Sequence, residues 1–151
     1  MINQRLDENC VDDLIQFSED FADQGFPYRL TETVAARYCS GANPTDPTVQ
    51  TYGIYFDGEK LVAVMTATFC FVFPHKDNPG GRIVHISGVY TCPEFRSLGC
   101  ATRLLESVAR DAKQYFDADY LCCDSTLPAF FKKHGFYDSN DERLWMEIKE
   151  K

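Results

Sequence analysis

The chain has 151 residues, of which 44% are hydrophobic and 25% are charged. One domain typically spans about 100–200 residues, so we expect a single domain over residues 1–151. Fifteen Lys and Arg residues against 23 Asp and Glu residues give a formal net charge of −8. This acidic balance argues against a nucleic-acid partner, because nucleic acids bind to basic surfaces. It is compatible with a cationic partner such as an amine.

The sequence shows no pattern of export or membrane insertion. The N-terminal segment lacks the basic and then apolar layout of a signal peptide. The longest apolar run, residues 61–73, contains two threonines and has 13 residues, whereas a membrane span needs about 20. Seven cysteines without a C-x-x-C pair predict free thiols in a reducing compartment and no structural zinc site. We therefore expect a cytoplasmic protein with no membrane partner.

The first third of the chain predicts one strand and two helices. Residues 2–7 have the composition of a short strand. Apolar residues near a 3.6-residue period predict a helix over Val11–Phe21, with acidic residues at its start and a glycine and a proline after it. A second helix is predicted from Thr31, a suitable N-cap, to Tyr38. Residues 40–48 are rich in proline and small polar residues and predict a loop.

The middle of the chain predicts three antiparallel strands. The first, Tyr52–Phe56, is followed by Asp57-Gly58, a strong hairpin signal. The second, Leu61–Phe73, is rich in β-branched and aromatic residues. After a turn over residues 74–82, the third strand is Ile83–Thr91. Its short connection to the second strand predicts that the two pair antiparallel.

The last third predicts two more helices and two strands. Apolar residues recur at helical spacing from Ala101 to Tyr115 and predict an amphipathic helix of four turns. A buried strand over Tyr120–Cys123 follows. The next helix, Pro128–His134, is closed by Gly135, and Arg143–Ile148 alternates like a closing strand. Together with the earlier elements, this order predicts a mixed α/β sheet with helices packed on it.

The most informative segment joins the third of these strands to the amphipathic helix. Pro93 stops the strand, and Arg96-Ser-Leu-Gly99-Cys-Ala101 leads directly into the helix. Small residues at a helix start let a ligand approach N–H groups that have no helical partner, which suits a phosphate or pyrophosphate. The segment is neither a Walker loop nor a dinucleotide-binding fingerprint. The alternative is an ordinary strand-to-helix turn that contains a glycine.

Here the sequence resembles a known family. The stretch P-E-F-R-S-L-G-C-A, residues 93–101, resembles the pyrophosphate loop of the GNAT superfamily of N-acetyltransferases, whose pattern is V-x-P-x-[YF]-R-G-x-G-[IYA]-[GA]. A second family element, a helix that ends A-x-[FL]-Y-x-x-x-G-F, is similar to the segment Ala129–Phe136, which is one residue shorter than the pattern. The resemblance spans residues 83–137, and the preceding elements also occur in the order of the family.

The resemblance implies an α/β (α+β) GNAT-like fold with a mixed, mostly antiparallel central sheet of about six or seven strands and about four flanking helices. It implies acetyl-CoA as co-substrate, no metal, and direct acetyl transfer to a primary amine of a small molecule or peptide. The acidic balance favours a cationic amine through electrostatic steering. Homodimers are frequent in the family, and substrate loops would fall in residues 23–50 and 74–82.

The resemblance also assigns coenzyme contacts. Backbone groups of Val89 and Thr91 would bind the acetyl and pantetheine part, and an amide near Val89 would stabilise the oxyanion. The N–H groups of residues 98–101 would hold the pyrophosphate, with Ser97 at a position where the family commonly has glycine. The positions assigned to coenzyme binding are Val89, Tyr90, Thr91, Arg96, Ser97, Leu98, Gly99, Cys100, Ala101, Thr102, Ser125 and Phe131.

The catalytic residues are less evident. His85 corresponds to a strand glutamate that some members use as general base, and an imidazole suits that task; the alternative is a structural histidine, with water chains taking the proton. Phe131 stands where the family often has the tyrosine that protonates the departing thiolate. Either the thiolate leaves unassisted or another group serves, with Tyr137 as the candidate acid and Tyr90 and Ser125 as other donors.

Two other functions fit the sequence. Phe131 is compatible with an acyl-CoA-binding regulatory module that is catalytically weak or inactive. A redox-sensing thiol protein would require a cysteine of high reactivity near neutral pH, and Cys100 at a helix start beside Arg96 is the candidate for a lowered pKa. His134 is expected in the last turn of its helix, where positive charge suits the helix dipole.

Overall fold

The computed structural model describes residues 1–22, 30–39, 49–124, 127–138 and 143–148. They form a seven-stranded sheet and four α-helices. The strands are β1 (Ile2–Arg5), β2 (Val49–Phe56), β3 (Lys60–Phe71), β4 (Arg82–Thr91), β5 (Tyr120–Asp124), β6 (Tyr137–Asp138) and β7 (Arg143–Glu147). The helices are α1 (Val11–Phe21), α2 (Glu32–Tyr38), α3 (Cys100–Phe116) and α4 (Pro128–Lys133).

The sheet is mixed and mostly antiparallel, as predicted. Its strands lie in the order β1-β2-β3-β4-β5-β7-β6. β4 and β5 pair in parallel, and the other neighbouring pairs among the described strands are antiparallel. The predicted hairpin is confirmed, because Asp57 and Gly58 adopt positive φ values of 53° and 71° between β2 and β3, the conformation of a tight hairpin turn. The antiparallel pairing of β3 with β4 is confirmed as well.

Helices pack against both faces of the sheet. α1 and α2 lie against β3 and β2, over a core that includes Leu6, Leu14 and Phe17. α3 packs on the opposite face, against β2, β3 and β4, and α4 adjoins it near β7. We call these the α1 face and the α3 face. The helices of the α1 face pack against β2 and β3 and reach β4 at Tyr90, and β5 and β7 lie beyond them.

α3 is the predicted amphipathic helix, one residue longer at each end. Its buried residues recur at helical spacing and pack against the sheet. They are Cys100, Leu104, Leu105, Ser107, Val108, Asp111, Ala112 and Phe116. The helix ends where Asp117 turns to a left-handed φ of 52°. Within the described ranges, no helix has both the length and the apolar character that a bilayer span requires.

Some element boundaries differ from the predicted ones. β1 ends at Arg5 rather than at residue 7, because the Asp7 side chain accepts a hydrogen bond from the Asn9 N–H (2.9 Å) and starts a short 3-10 turn. β3 ends at Phe71, two residues before the predicted end. The strand β6 was not predicted, since two residues are too few to show a period.

Candidate active site

A gap opens between β4 and β5. Their parallel pairing joins Ile83–Ile86 to Tyr120–Cys123, although β4 continues to Thr91. Beyond Ile86, no described strand pairs with the β5-side edge of β4. On the β3 side, the residues before and after Ser87 pair with consecutive residues of β3, so Ser87 is an extra residue in β4. Such a bulge bends a strand, and here it coincides with the point where β4 and β5 part.

The backbone amides of Val89 and Thr91 point into this gap. The Cys92 N–H donates to the Val62 carbonyl oxygen of β3 (2.9 Å). Because N–H directions alternate along a strand, the Tyr90 amide also faces β3, whereas the Val89 and Thr91 amides face the opposite edge. The structure thus brings the two predicted backbone donors together at one opening.

The connection from β4 to α3 contains two left-handed residues. Ser97 has a φ of 65° and Gly99 a φ of 83°. Gly99 is the N-cap of α3, and its carbonyl oxygen accepts from the Arg103 N–H (3.0 Å). The amides before that bond have no intrahelical acceptor and form the positive end of the helix dipole. The predicted segment 98–101 therefore lies at the helix start as a short row of donors.

The Arg96 side chain folds back onto β4. Its Nε–H donates to the Thr91 carbonyl oxygen (2.9 Å), and its guanidinium carbon lies 5.4 Å from the Tyr90 ring centroid. The Tyr90 ring is buried on the α1 face, in edge and tilted contacts with Phe17 and Phe21. Arg96 thus holds the loop against the strand end, and the Tyr90 side chain faces the core rather than the gap.

Side chains at the start of α3 have structural partners. The Cys100 thiol is buried and lies 3.7 Å from the Phe95 carbonyl oxygen, and burial raises its pKa. The expected lowering of that pKa is therefore wrong, because loss of hydration outweighs the helix start. Thr102 Oγ1 lies 3.2 Å from His134 Nε2 and links α3 to α4. His134 follows Lys133, the last residue of α4, and so lies just outside the helix.

His85 has a carboxylate partner that the sequence did not reveal. His85 Nε2 lies 3.3 Å from Asp124 Oδ1, and the two side chains are 22% and 57% exposed. His85 pairs with Cys122 in the parallel register, and Asp124 is two residues further along β5. Both side chains lie on the α1 face, at the point where the gap begins. The only available signal was the acid that directly follows the predicted strand 120–123.

Two predicted residues lie apart from the gap. The Phe131 ring is buried in the core of the α3 face between Phe130 and Phe136, with centroid distances of 5.1 Å and 5.0 Å. Tyr137 is on β6, three strands from β4 in the sheet order, which corresponds to roughly 14 Å at strand spacing. Ser125 and most of the predicted substrate segment 23–50 lie outside the described residues.

The turn over residues 74–82 is described and is closed by its own backbone. His75 and Asn78 exchange N–H···O bonds of 3.1 Å and 3.0 Å, and the Asp77 N–H donates to His75 Nδ1 (3.2 Å). Nowhere in the described part of the chain do three His, Cys, Asp or Glu side chains gather as a metal site would require. The polar groups that the structure places at the gap are the backbone amides of Val89 and Thr91 and the side chains of His85 and Asp124.

Comparison with known proteins points to one family. A model described as the acetyltransferase (GNAT) family matches residues 13–136. The chain is similar to a predicted acetyltransferase from Clostridium acetobutylicum solved with acetyl-CoA, at a TM-score of 0.74 and 20% identity over 98% of this chain and 95% of that chain. It is similar to Arabidopsis thaliana NAA60 in complex with acetyl-CoA, at 0.71 and 15% identity over 97% and 98% of the two chains.

A third similar structure is an aminoglycoside antibiotic 6'-N-acetyltransferase from Acinetobacter haemolyticus, with a TM-score of 0.68 and 17% identity over 93% of this chain and 94% of that chain. A search of curated protein sequences gave no significant match. At these identities the solved structures show the shared fold, whereas the family model covers most of the chain in sequence.

Proposed function

Because the chain belongs to the GNAT family of acetyltransferases, we propose that it transfers the acetyl group of acetyl-CoA directly to a primary amine of a small molecule or peptide. One observation carries the proposal: the open edge of β4 leads directly to a helix start with exposed amides. Acetyl-CoA has a thioester at one end and a pyrophosphate further along, so it needs strand amides first and helix-start amides next to them.

The loop before α3 fits the pyrophosphate. Residues 98–101 offer backbone N–H groups at the positive end of a helix of 17 residues. A Cβ at Gly99 would meet no atom within 4 Å, so the glycine leaves open space where phosphate oxygens would lie. Arg96 adds a positive charge beside the loop while it anchors the loop to Thr91. Backbone donors of this kind do not depend on the net charge of the chain.

The gap fits the thioester. In acyl transfer, the carbonyl oxygen gains negative charge as the amine attacks, and a preplaced N–H donor there lowers the barrier. We assign this donor to the Val89 amide and assign the Thr91 amide to the pantetheine arm. The assignment rests on the direction of both N–H groups towards the opening between β4 and β5.

His85 and Asp124 are the proposed route for the proton that the amine must lose. A primary amine attacks only in its neutral form, so a base must accept a proton. Asp124 orients the imidazole through the 3.3 Å contact. His85 is four residues before Val89, or roughly 13 Å along an extended strand. The proton therefore travels to His85 through water, along the exposed Asp124 carboxylate.

The departing thiolate leaves without a tyrosine at the family position. Phe131 has no proton to donate and lies in the core, and Tyr137 is three strands away. A thiol with a pKa of about 8–9 is an adequate leaving group. We propose that water protonates the thiolate, and that Tyr137 takes no part in this step.

The acceptor side of the proposal is a cationic amine. The net charge of −8 raises the local concentration of cations and their rate of association. The Asp124 carboxylate is exposed beside the gap and provides the local attraction. We further propose a cytoplasmic location, supported by seven cysteines that all lie in the described ranges as thiols rather than disulfides.

The test is thiol release from acetyl-CoA with a panel of polyamines, amino acids, aminoglycosides and peptides with free N-termini. Turnover with any of these amines, and acetylated amine detected by mass spectrometry, supports the proposal. Tight coenzyme binding without turnover on the whole panel would instead favour the alternative, an acyl-CoA-binding regulatory module. Phe131 in place of the proton-donating tyrosine is the observation that favours this alternative.

A further inference from the structure

The α1 face carries a row of side chains that leads away from His85 across the sheet. Strand registers align His85 with Cys122 of β5, Cys122 with Trp145 of β7, and Trp145 with Tyr137 of β6. Residues that align across neighbouring strands point to the same face. The neighbours of this row along the strands, among them Leu121, belong to the core of the α3 face, so the row lies opposite that core. We call this region the acceptor row.

Aromatic rings dominate the far end of the acceptor row. The Trp145 and Tyr120 rings meet edge to face, with centroids 6.1 Å apart. Tyr137 lies beside Trp145 in the register and is 51% exposed. Trp145 and Tyr120 are half-buried. The helices α1 and α2 of this face have their main contacts with β2 and β3, away from the strands that carry these three rings.

Negative charge accompanies the rings. Glu147 pairs directly with Tyr120 and is exposed, and Asp124 is exposed at the other end of β5. Burial raises the pKa of Tyr120, and the nearby charge of Glu147 raises it further. An aromatic face beside a carboxylate is the chemical arrangement that binds an ammonium group, through cation–π attraction and ion pairing.

We propose that Trp145, Tyr120 and Glu147 form a subsite for a second cationic group of the acceptor. This inference rests on the proposed function, because it assumes that the reacting amine lies at the thioester beside the Val89 amide. Trp145 is two strands from β4, or roughly 10 Å at strand spacing, and the row meets β4 at His85, roughly 13 Å along the strand from Val89, so about 16 Å separates Trp145 from the reacting amine. The preferred acceptors are therefore extended amines whose second ammonium or guanidinium group lies about that far from the acetylated nitrogen.

The experiment compares α,ω-diaminoalkanes with monoaminoalkanes of equal length, in a series from four to twelve carbon atoms. Thiol release gives kcat/KM for each amine, and calorimetry gives its Kd for the protein saturated with coenzyme A. The monoamines control for apolar contact alone. The variants are Trp145→Leu, Trp145→Phe and Glu147→Gln. Glu106→Gln, at an exposed position of α3, is the matched control for the loss of one acid.

We expect long diamines to exceed equal monoamines by at least about tenfold in kcat/KM. Trp145→Leu and Glu147→Gln should each lower this ratio about fivefold, whereas Trp145→Phe keeps most of it and Glu106→Gln all of it. Coenzyme affinity and Tm should stay within error in the Glu147→Gln variant, which separates the subsite from folding.

The outcomes distinguish the subsite from the function. Equal use of diamines and monoamines, or a ratio that neither Trp145→Leu nor Glu147→Gln changes, overturns the subsite while leaving acetyl transfer established. Binding of long diamines that depends on Trp145, without turnover of any amine, would overturn the proposed function and retain the subsite. Absence of both turnover and diamine binding would overturn both.

Discussion

Replacing Gly99 with alanine tests the proposed pyrophosphate loop through the backbone alone. Gly99 has a φ of 83°, and a Cβ built on it meets no atom within 4 Å. The methyl group therefore clashes with nothing, and the cost is the strain of a left-handed residue with a side chain, about 1–2 kcal/mol. If the loop of the variant relaxes to another conformation to relieve that strain, coenzyme binding must restore the left-handed conformation. Coenzyme A affinity should then fall about 5–30-fold.

A glycine of the same conformation elsewhere provides the control. Gly58, in the hairpin between β2 and β3, has a φ of 71°, and a Cβ there also meets nothing within 4 Å. Gly58→Ala should lower the free energy of unfolding by about 1–2 kcal/mol, yet leave coenzyme affinity unchanged. Gly99→Leu, whose side chain occupies the phosphate space, should abolish binding.

The measurements are the Kd of coenzyme A by calorimetry and the free energy of unfolding in denaturant. Wild-type affinity in both Gly99 variants would refute the loop assignment. An equal loss of affinity in Gly58→Ala would show that the effect follows general stability rather than the geometry of the loop.

Three further predictions concern the proton route, a buried network and the thiols. His85→Ala and Asp124→Asn should each lower kcat at least about tenfold and leave the Kd of coenzyme A unchanged; unaltered kcat in both would rule out the proton route. The buried Asp111 accepts from Tyr52 Oη (2.9 Å), so Asp111→Ala should cost about 1–3 kcal/mol of stability in thermal unfolding, with native coenzyme affinity. Burial raises the pKa of Cys123 from 9.0 to about 12. Its thiol should therefore resist alkylation at pH 8 in the folded protein, and rapid labelling of Cys123 at pH 8, detected by mass spectrometry, would contradict this. The contribution of this thiol to the free energy of unfolding should be complete below pH 9 and decline as pH rises towards 12, because only the unfolded thiol ionises readily in that range.

Elements defined by local chemistry were predictable from the sequence. The helical period of α3, the Asp57-Gly58 turn and the Pro128 start of α4 each depend on a few neighbouring residues. The left-handed conformation at Gly99 was not predicted, although glycine adopts it without the steric cost of a side chain. The position of the loop over residues 96–101, after the strand that ends at Thr91, was predictable as well.

Long-range register was not predictable in this way. The gap exists because the parallel pairing of β4 with β5 ends at Ile86, and nothing near Ile86 in sequence specifies this. The contact of His85 with Asp124 spans 39 residues and depends on the same register. Phe131 is a further case, since its motif position predicts a coenzyme contact while its ring is buried in the core of the α3 face.

A chain with a net negative charge can bind an anionic coenzyme because the charges involved act over different distances. Backbone amides at the start of α3 act within hydrogen-bond distance, and they carry partial positive charge whatever the sum of the side chains. The acids of the surface act over about a Debye length, roughly 10 Å at 0.1 M salt. In the proposed function, Asp124 and Glu147 on the α1 face attract a cationic acceptor over that range, whereas the loop binds the coenzyme at contact distance. Added salt should therefore weaken binding of the acceptor more than binding of the pyrophosphate. One acidic chain can thus bind both ligands.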